Sequence, residues 1–177
     1  GLIREGNERV LAARLADAKF FFDEDRKVRL EDRTKKLSGV TFHQKLGTMA
    51  QKQERLEKLI VIIAPLLNPR AANDETIDHC RRAATLCKAD LLTGVVGEFP
   101  ELQGIMGGEY AAHDKEPDAV SAGVREQYLP RSIDGALPKT LVGQALSLTD
   151  RLDAIAAFFH VGLVPTGSED PFALRRH

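Results

Sequence analysis

The chain has 177 residues, of which 43% are hydrophobic and 29% are charged, and its formal net charge at pH 7 is −1. These fractions resemble those of ordinary globular domains, so they argue against wholesale disorder and against an overall basic, nucleic-acid-binding surface. The longest apolar run, residues 59–67, is far shorter than the roughly 20 residues that span a bilayer, so no membrane span is expected.

Charge is distributed unevenly along the chain. Residues 1–63 contain 14 Lys and Arg residues against 10 Asp and Glu residues, whereas residues 64–177 contain 11 against 16. A basic face in the first part could bind phosphate, but solvated helix faces would give the same distribution. The chain starts without Met or a signal-peptide pattern and ends on the opening of a helix around Pro171, so we expect a segment of a longer, cytoplasmic protein.

The first predicted element is a helix over residues 8–25 with Asn7 as its N-cap. Four residues form its apolar stripe: Leu11, Leu15, Ala18 and Phe22. The charged residues 26–36 lack apolar periodicity, so they predict a linker or a short extended arm. This first part is therefore expected to be a helix followed by an arm.

Two further helices are indicated in the middle of the chain. The first follows Gly47 and should be ended by Pro65 and Pro69, with an apolar stripe of Met49, Leu56, Leu59 and Ile63. The second begins at Asn73, an N-cap residue followed by acidic side chains, and its stripe is Ile77, Cys80, Ala84, Cys87 and Leu91. The two cysteines are seven residues apart, so they should face a core in a reducing compartment rather than form a disulfide.

The remaining pattern is also helical. A shorter helix is predicted from Phe99 to about Ala112, then a polar turn over residues 113–118, another helix, and a connection over residues 130–138. That intervening helix carries Val120, Val124 and Tyr128. The last helix, residues 139–160, has a stripe of Leu141, Ala145, Leu148, Leu152, Ile155 and Phe159. The fold class is therefore predicted to be all-α, in one compact helical bundle.

Candidate chemical groups are scattered. The chain has no glycine-rich phosphate loop, and its two cysteines lack the spacing of a structural zinc site. Residues that could hold a divalent metal are His43, Asp90, His113, Asp114 and Asp150. All of these except Asp90 also have a purely structural interpretation: a satisfied His at His43, a solvated turn at His113 and Asp114, and an ion pair at Asp150.

Several longer phrases, in order along the chain, are similar to one protein family. They are GNERVL (6–11), ARLADAKFF (13–21), KLGT (45–48), KADLLT (88–93), VGEFPELQGIMG (96–107), YLP (128–130) and PTGSEDPFALRR (165–176). Together they resemble the central region of the β subunit of bacterial two-subunit glycyl-tRNA synthetases. None of these phrases is a catalytic signature.

The resemblance implies a fold and a set of partners. In that family the α subunit carries the class II aminoacylation site, and the β subunit supplies tRNA-binding domains within a heterotetramer. The matched region looks like an HD-type helical domain, a fold shared with metal-dependent phosphohydrolases. The implied division is a helix and arm over residues 1–36, a helical core over residues 37–160 and a connection over residues 161–177.

The resemblance also implies site residues. HD enzymes use a separated His, an adjacent His-Asp pair and a late Asp; here the pair position is Ala89-Asp90, and His43 and Asp150 would take the outer positions. A degenerate site without a functional metal is implied, with ATP and Mg²⁺ used only by the complete synthetase. Basic residues expected to contact tRNA(Gly) phosphates are Arg14, Lys19, Lys45, Lys52, Arg175 and Arg176. A residual metal-dependent phosphohydrolase and a structural spacer are the alternatives.

Overall fold

The computed structural model describes residues 2–165. Its helices are α1 (Leu2–Asp25), α2 (Leu30–Thr34), α3 (Met49–Leu67), α4 (Asp74–Leu86), α5 (Gly94–Glu98), α6 (Ile105–His113), α7 (Asp118–Glu126) and α8 (Leu141–His160). An antiparallel hairpin joins β1 (Thr41–His43) to β2 (Gly47–Thr48), and 3-10 turns cover Leu37–Gly39, Ala89–Leu92 and Pro100–Leu102. The all-α prediction is confirmed, while the likeness to the HD fold stays a prediction. In the described part, no helix is long and apolar enough to cross a membrane.

The core lies between α3, α4, α6, α7 and α8, which pack on one another. Its fully buried side chains include Leu56, Ile60, Cys80, Leu86, Val120, Val124 and Leu146. Small residues allow close helix contacts: a Cβ atom at Gly108 would lie 2.8 Å from the Ser121 carbonyl oxygen of α7, and one at Gly123 would lie 2.4 Å from Val142 Cγ1 of α8. The backbones of α6, α7 and α8 therefore approach more closely than larger side chains would permit.

Helix α1 ends where the sequence predicts but begins earlier, so Asn7 is inside the helix and is not its cap. Residues 4–17 are all exposed, and Leu11 and Leu15 have exposed fractions of 59% and 62%. The expectation of a buried stripe along this helix is therefore wrong for its first four turns. Only the last part of α1 reaches the core, through Phe21 and Phe22.

The predicted linker over residues 26–36 contains the short helix α2, because one apolar side chain anchors it. Leu30 is buried in the core, and its backbone N–H donates to Asp114 Oδ2 at 2.6 Å. Asp114 therefore holds the start of α2 instead of lying in a merely solvated turn. The neighbouring His113 Nδ1 lies 3.1 Å from Nη2 of Arg26.

Capping residues explain where α3 and α4 begin. Thr48 and Gln51 form a reciprocal capping box at α3, and Asn73 accepts from the Thr76 N–H at α4, as its position predicts. Helix α3 continues past Pro65 and ends at Leu67, between the two prolines expected to end it. A proline in the last turn removes one backbone hydrogen bond but leaves the earlier ones intact. Cys80 and Cys87 are buried and unbridged, as predicted.

The predicted helix over residues 99–112 is divided in the structure. Residues 100–102 form a 3-10 turn, and Gly104, with φ of +80°, precedes α6. Residues 94–98, where two glycines suggest an interruption, form α5. That helix starts because Asp25 accepts hydrogen bonds from the backbone N–H groups of Gly94 and Val95, at 2.8 and 3.0 Å.

Helix α8 is present but buries a different face from the predicted one. Thr140 caps it by accepting from the Gly143 N–H at 3.0 Å. Its buried residues include Val142, Ala145, Leu146, Thr149, Asp153, Ala154 and Phe158. Of the predicted stripe, Ala145 is buried, whereas Leu148, Leu152 and Phe159 have exposed fractions of 37%, 45% and 49%. The helix thus has two apolar faces, and spacing alone does not show which one is covered.

Candidate functional site

Five charged side chains meet in the interior where α3, α8 and the turn after α4 converge. We call them the charged cluster: Lys52, Arg55, Lys88, Asp150 and Asp153. Lys52 and Lys88 have residue exposures of only 4% and 2%. Burying ammonium groups is costly unless carboxylates and hydrogen-bond acceptors surround them, so their partners decide what the site can do.

Asp150 lies between the two lysines. Nζ of Lys52 is 2.8 Å from its Oδ1, and Nζ of Lys88 is 2.7 Å from its Oδ2. Burial opposes ionisation of this carboxyl, but the two ammonium groups outweigh burial and hold the pKa of Asp150 well below its ordinary value. The carboxylate is therefore charged at neutral pH, and it neutralises much of the positive charge beside it.

Lys88 has an acceptor for each of its three N–H bonds. Besides Asp150, Nζ donates to Gln127 Oε1 at 2.9 Å and to the Tyr128 hydroxyl at 3.2 Å. Burial by itself disfavours the ammonium form, yet the adjacent Asp150 carboxylate raises the pKa of Lys88 above its ordinary value. A lysine held in the protonated form has no lone pair, so Lys88 is neither a nucleophile nor a general base here.

The second carboxylate, Asp153, is bound from two directions. Lys52 Nζ donates to its Oδ2 at 2.9 Å, and Arg55 makes a bidentate contact through Nε at 2.6 Å and Nη2 at 3.1 Å. The planar guanidinium fits a carboxylate in this geometry. Because Lys52 contacts both carboxylates, it connects α3 to two residues of α8 that are three positions apart.

A cavity of about 340 Å³ adjoins the cluster. Apart from the charged groups, its lining includes Phe42, Met49, Leu91, Gln103, Tyr128 and Phe158. Lys52 Nζ lies 4.7 Å from the centre of the Phe42 ring, and Lys88 Nζ lies 4.3 Å from that of Tyr128. Rings over ammonium groups add electrostatic stabilisation without a formal charge. The cavity thus has apolar walls, and the ammonium groups of Lys52 and Lys88 beside it are already paired with carboxylates.

The three residues implied as remnants of a metal site have different environments. Asp150 is in the cluster. Asp90 Oδ2 accepts from the backbone N–H groups of Gly104 and Gly107 at 2.6 and 3.2 Å, so Asp90 fixes the start of α6. His43 packs its ring edge-on against Phe158, and its Nδ1 accepts from the Lys45 N–H at 3.2 Å.

Among residues 2–165, no three His, Cys, Asp or Glu side chains are grouped so that they could hold a metal ion. The residual-phosphohydrolase alternative therefore has no ligand set in the described part of the chain. The position between α3 and α8 where a cation would contact Asp150 is instead filled by two lysine ammonium groups. The ion-pair interpretation of Asp150 is confirmed, and it is an interhelical pair with α3.

The residues expected to contact phosphate are dispersed. Arg14 is exposed on α1, where Nη2 lies 3.6 Å from Glu98 Oε1, and Lys19 is exposed and paired with Asp23 at 2.5 Å. Lys45 is exposed in the hairpin turn. Lys52 is buried in the charged cluster, which removes it from the surface available to phosphate. Arg175 and Arg176 lie outside the described residues.

Five members of the site escape sequence reasoning: Arg55, Lys88, Gln127, Tyr128 and Asp153. A lysine or arginine is ordinarily interpreted as a surface residue, and the partner carboxylates lie 62 and 98 positions away in the chain. The sequence offers one signal for Lys88, which lies between Cys87 and Leu91 of the predicted apolar stripe and three residues from Leu91.

Comparison with known proteins gives one consistent result. The model of the family described as glycyl-tRNA synthetase beta subunit matches residues 1–177. The chain is 54% identical over 175 residues to the beta subunit of glycine–tRNA ligase from Geobacter sp. strain M21, covering 99% of this chain and 25% of that protein. The corresponding protein of Phenylobacterium zucineum is 54% identical, with 98% and 26% covered. That of Streptococcus gordonii is 53% identical over 172 residues, with 97% and 25% covered. The chain spans about a quarter of the length of these curated relatives.

Proposed function

The chain belongs to the glycyl-tRNA synthetase beta subunit family, and we propose that it is a non-catalytic helical domain that helps hold tRNA(Gly) for glycylation. The match along all 177 residues carries this proposal. In it, the complete cytoplasmic enzyme combines this beta subunit with an α subunit that performs the ATP- and Mg²⁺-dependent reaction. This segment supplies contacts and rigidity rather than reacting groups.

The charged cluster supports a positioning role. Lys88 is held in the protonated form, and both carboxylates contact cations, so the cluster is built of ion pairs rather than of a reactive nucleophile or base. Its effect is mechanical, because Lys52 and Lys88 connect α3 and the turn after α4 to α8. A rigid domain is useful to a synthetase because misplacing the reacting end of a substrate by about 1 Å can lower the rate about a hundredfold.

The projecting part of α1 is the favoured region for a phosphate contact. Residues 4–17 of α1 are exposed, and so is Lys19. Arg14 lies within this exposed part, and Lys19 lies two residues after it on the same helix. Their ion pairs with Glu98 and Asp23 are exposed, so solvent and salt screen them and phosphate can replace the carboxylates at little cost. Lys45, in the hairpin turn, is the third exposed candidate.

The test uses the intact two-subunit synthetase with Arg14→Glu and Lys19→Glu combined in the beta subunit. If both residues contact phosphate, tRNA(Gly) binding weakens, and the slope of log affinity against log salt concentration falls by about two. Lys58→Glu with Arg70→Glu is the control, since both residues are exposed and the change in charge is the same. Filter binding at several salt concentrations measures both quantities.

The spacer alternative makes an opposite prediction for the same variants. If the segment only separates its neighbours, the double charge reversal leaves tRNA affinity and salt slope unchanged. Disruption of the charged cluster would then impair assembly of the two subunits, which size-exclusion chromatography measures. Unchanged binding would remove Arg14 and Lys19 from the proposal and leave Lys45 to be tested alone.

A further inference from the structure

Helices α3 and α8 each carry a second apolar stripe that the domain leaves uncovered. On α3 the stripe is Leu59, Ile62, Ile63 and Leu66; on α8 it is Leu148, Leu152, Ile155 and Phe159. Ile62 and Leu66 have exposed fractions of 61% and 76%. Both stripes follow the three- and four-residue spacing of a helix face that packs against another element.

A groove between α3 and α8 includes three of these eight residues, Leu59, Ile63 and Leu152. Its volume is about 850 Å³, and its lining includes Leu59, Ile63, Leu152, Ala156 and Ala157, with Leu46 of the hairpin turn beside them. The two alanines leave room for a backbone to approach closely, and the larger side chains form the sides. The lining also contains six polar or charged residues: Lys45, Gln51, Glu54, Arg55, Asp153 and His160. Its shape and lining are those of a site for an amphipathic helix.

We propose that this groove holds an amphipathic helix from the other three quarters of the same polypeptide. The curated relatives are about four times as long as this chain, so most of the protein lies outside it. The stripe from Leu148 to Phe159 extends about 17 Å along α8, which matches roughly three turns of a partner helix. The partner presents large apolar residues to the groove.

The size of the groove favours a covalently attached partner over a separate chain. Stable interfaces between separate proteins bury roughly 1,200–2,000 Å², whereas this site is a single groove between two helices. A tether raises the effective concentration of the attached helix to about the millimolar range, so a small apolar contact suffices. RNA fits poorly, because Glu54 and Asp153 add carboxylates to the lining and the Arg55 guanidinium is already bound to Asp153.

Photo-crosslinking in the intact two-subunit enzyme tests the proposal. A benzophenone amino acid replaces Leu152 in the beta subunit, and mass spectrometry identifies the crosslinked peptide. We expect a peptide of the beta subunit from outside residues 1–177. A crosslink to the α subunit, to tRNA or within residues 1–177, or no crosslink, would overturn it. The same amino acid at Ile133, which is 98% exposed, is the control for random collision.

A second measurement avoids the bulky probe. Ala156→Cys introduces a small thiol at an exposed position of α8 within the groove, and Ile133→Cys places one on the exposed loop. If a helix covers the groove, maleimide should modify position 156 at least tenfold more slowly than position 133 in the intact enzyme. Equal rates would show an open groove and contradict the proposal, whatever the outcome of the tRNA-binding test.

Discussion

The charged cluster and the projecting part of α1 use the same residue types for different purposes. In the cluster, Lys52 and Lys88 are almost wholly buried, and each contacts carboxylate oxygens within 3 Å. On α1 the side chain of Arg14 is 57% exposed and lies 3.6 Å from its carboxylate partner. The chemistry of the pairs is similar, but only the buried pairs exclude water.

This difference separates stability from binding. A buried ammonium group needs its carboxylate because water cannot replace it, so the cluster should govern whether the domain folds. An exposed cation can exchange its carboxylate for phosphate, so α1 should govern what the domain binds. Substitutions in the two regions should therefore affect different measurements.

The largest effect should come from Asp150→Ala. Removing this carboxylate leaves two buried ammonium groups without their shared partner, and breaking a buried pair in this way costs about 3–5 kcal/mol. Urea denaturation followed by circular dichroism measures the loss. Asp134→Ala removes a carboxylate from the exposed loop and should change stability by less than about 0.5 kcal/mol. Equal effects at the two positions would contradict the assigned role of the cluster.

Lys88→Met should cost less, about 2–4 kcal/mol, because Lys52 remains beside Asp150. The apolar replacement preserves most of the side-chain volume, while Gln127 Oε1 and the Tyr128 hydroxyl lose their donor. The double variant with Lys88→Met and Asp150→Ala should lose less stability than the sum of the two single losses, by more than about 1 kcal/mol. Strict additivity in this double-mutant cycle would show that the two side chains act independently.

These contrasts also explain what the sequence could reveal. Helix α4 was predictable because a local cap, Asn73, and a 3.6-residue stripe both specify it. For α1 and α8 the spacing predicts a helix but does not identify the face that another element covers. The predicted stripes therefore place Leu11 and Leu152 in the core, whereas both side chains are exposed. The cluster depends on ion pairs between residues that are 62 and 98 positions apart in the sequence. Asp90 accepts a hydrogen bond from a backbone N–H group, so its role leaves no side-chain pattern in the sequence.

Asp90 and Asp150 should respond to pH with opposite signs. Burial raises the pKa of Asp90 above its ordinary value of 3.8, so between 3.8 and the raised pKa the folded state binds more protons than the unfolded state. Its contribution to stability therefore increases as pH falls from neutrality toward 4. The pKa of Asp150 is lowered, so its contribution is complete above about pH 4 and is lost on further acidification.

Asp90→Asn isolates the first of these effects. The amide cannot titrate, so the variant should lack the gain in stability that the wild-type chain shows between pH 7 and pH 4. Urea midpoints at half-unit pH steps measure the difference between the two proteins. A difference that stays constant over this range would mean that Asp90 ionises normally despite its burial.

The smallest effect on stability should come from Arg14→Ala. Its contacts are an exposed pair with Glu98 and a guanidinium lying 5.2 Å from the centre of the Phe99 ring, so the free energy of unfolding should change by less than about 0.5 kcal/mol. Arg33→Ala is the matched arginine. Its side chain is 14% exposed and donates to the Asp25 and Leu92 carbonyl oxygens at 2.8 and 3.0 Å, so its loss should cost on the order of 2 kcal/mol. If Arg14→Ala were as destabilising as Arg33→Ala, the exposed contacts of Arg14 would contribute as much to the free energy of unfolding as the largely buried contacts of Arg33. The assignment of stability to the cluster and binding to α1 would then fail.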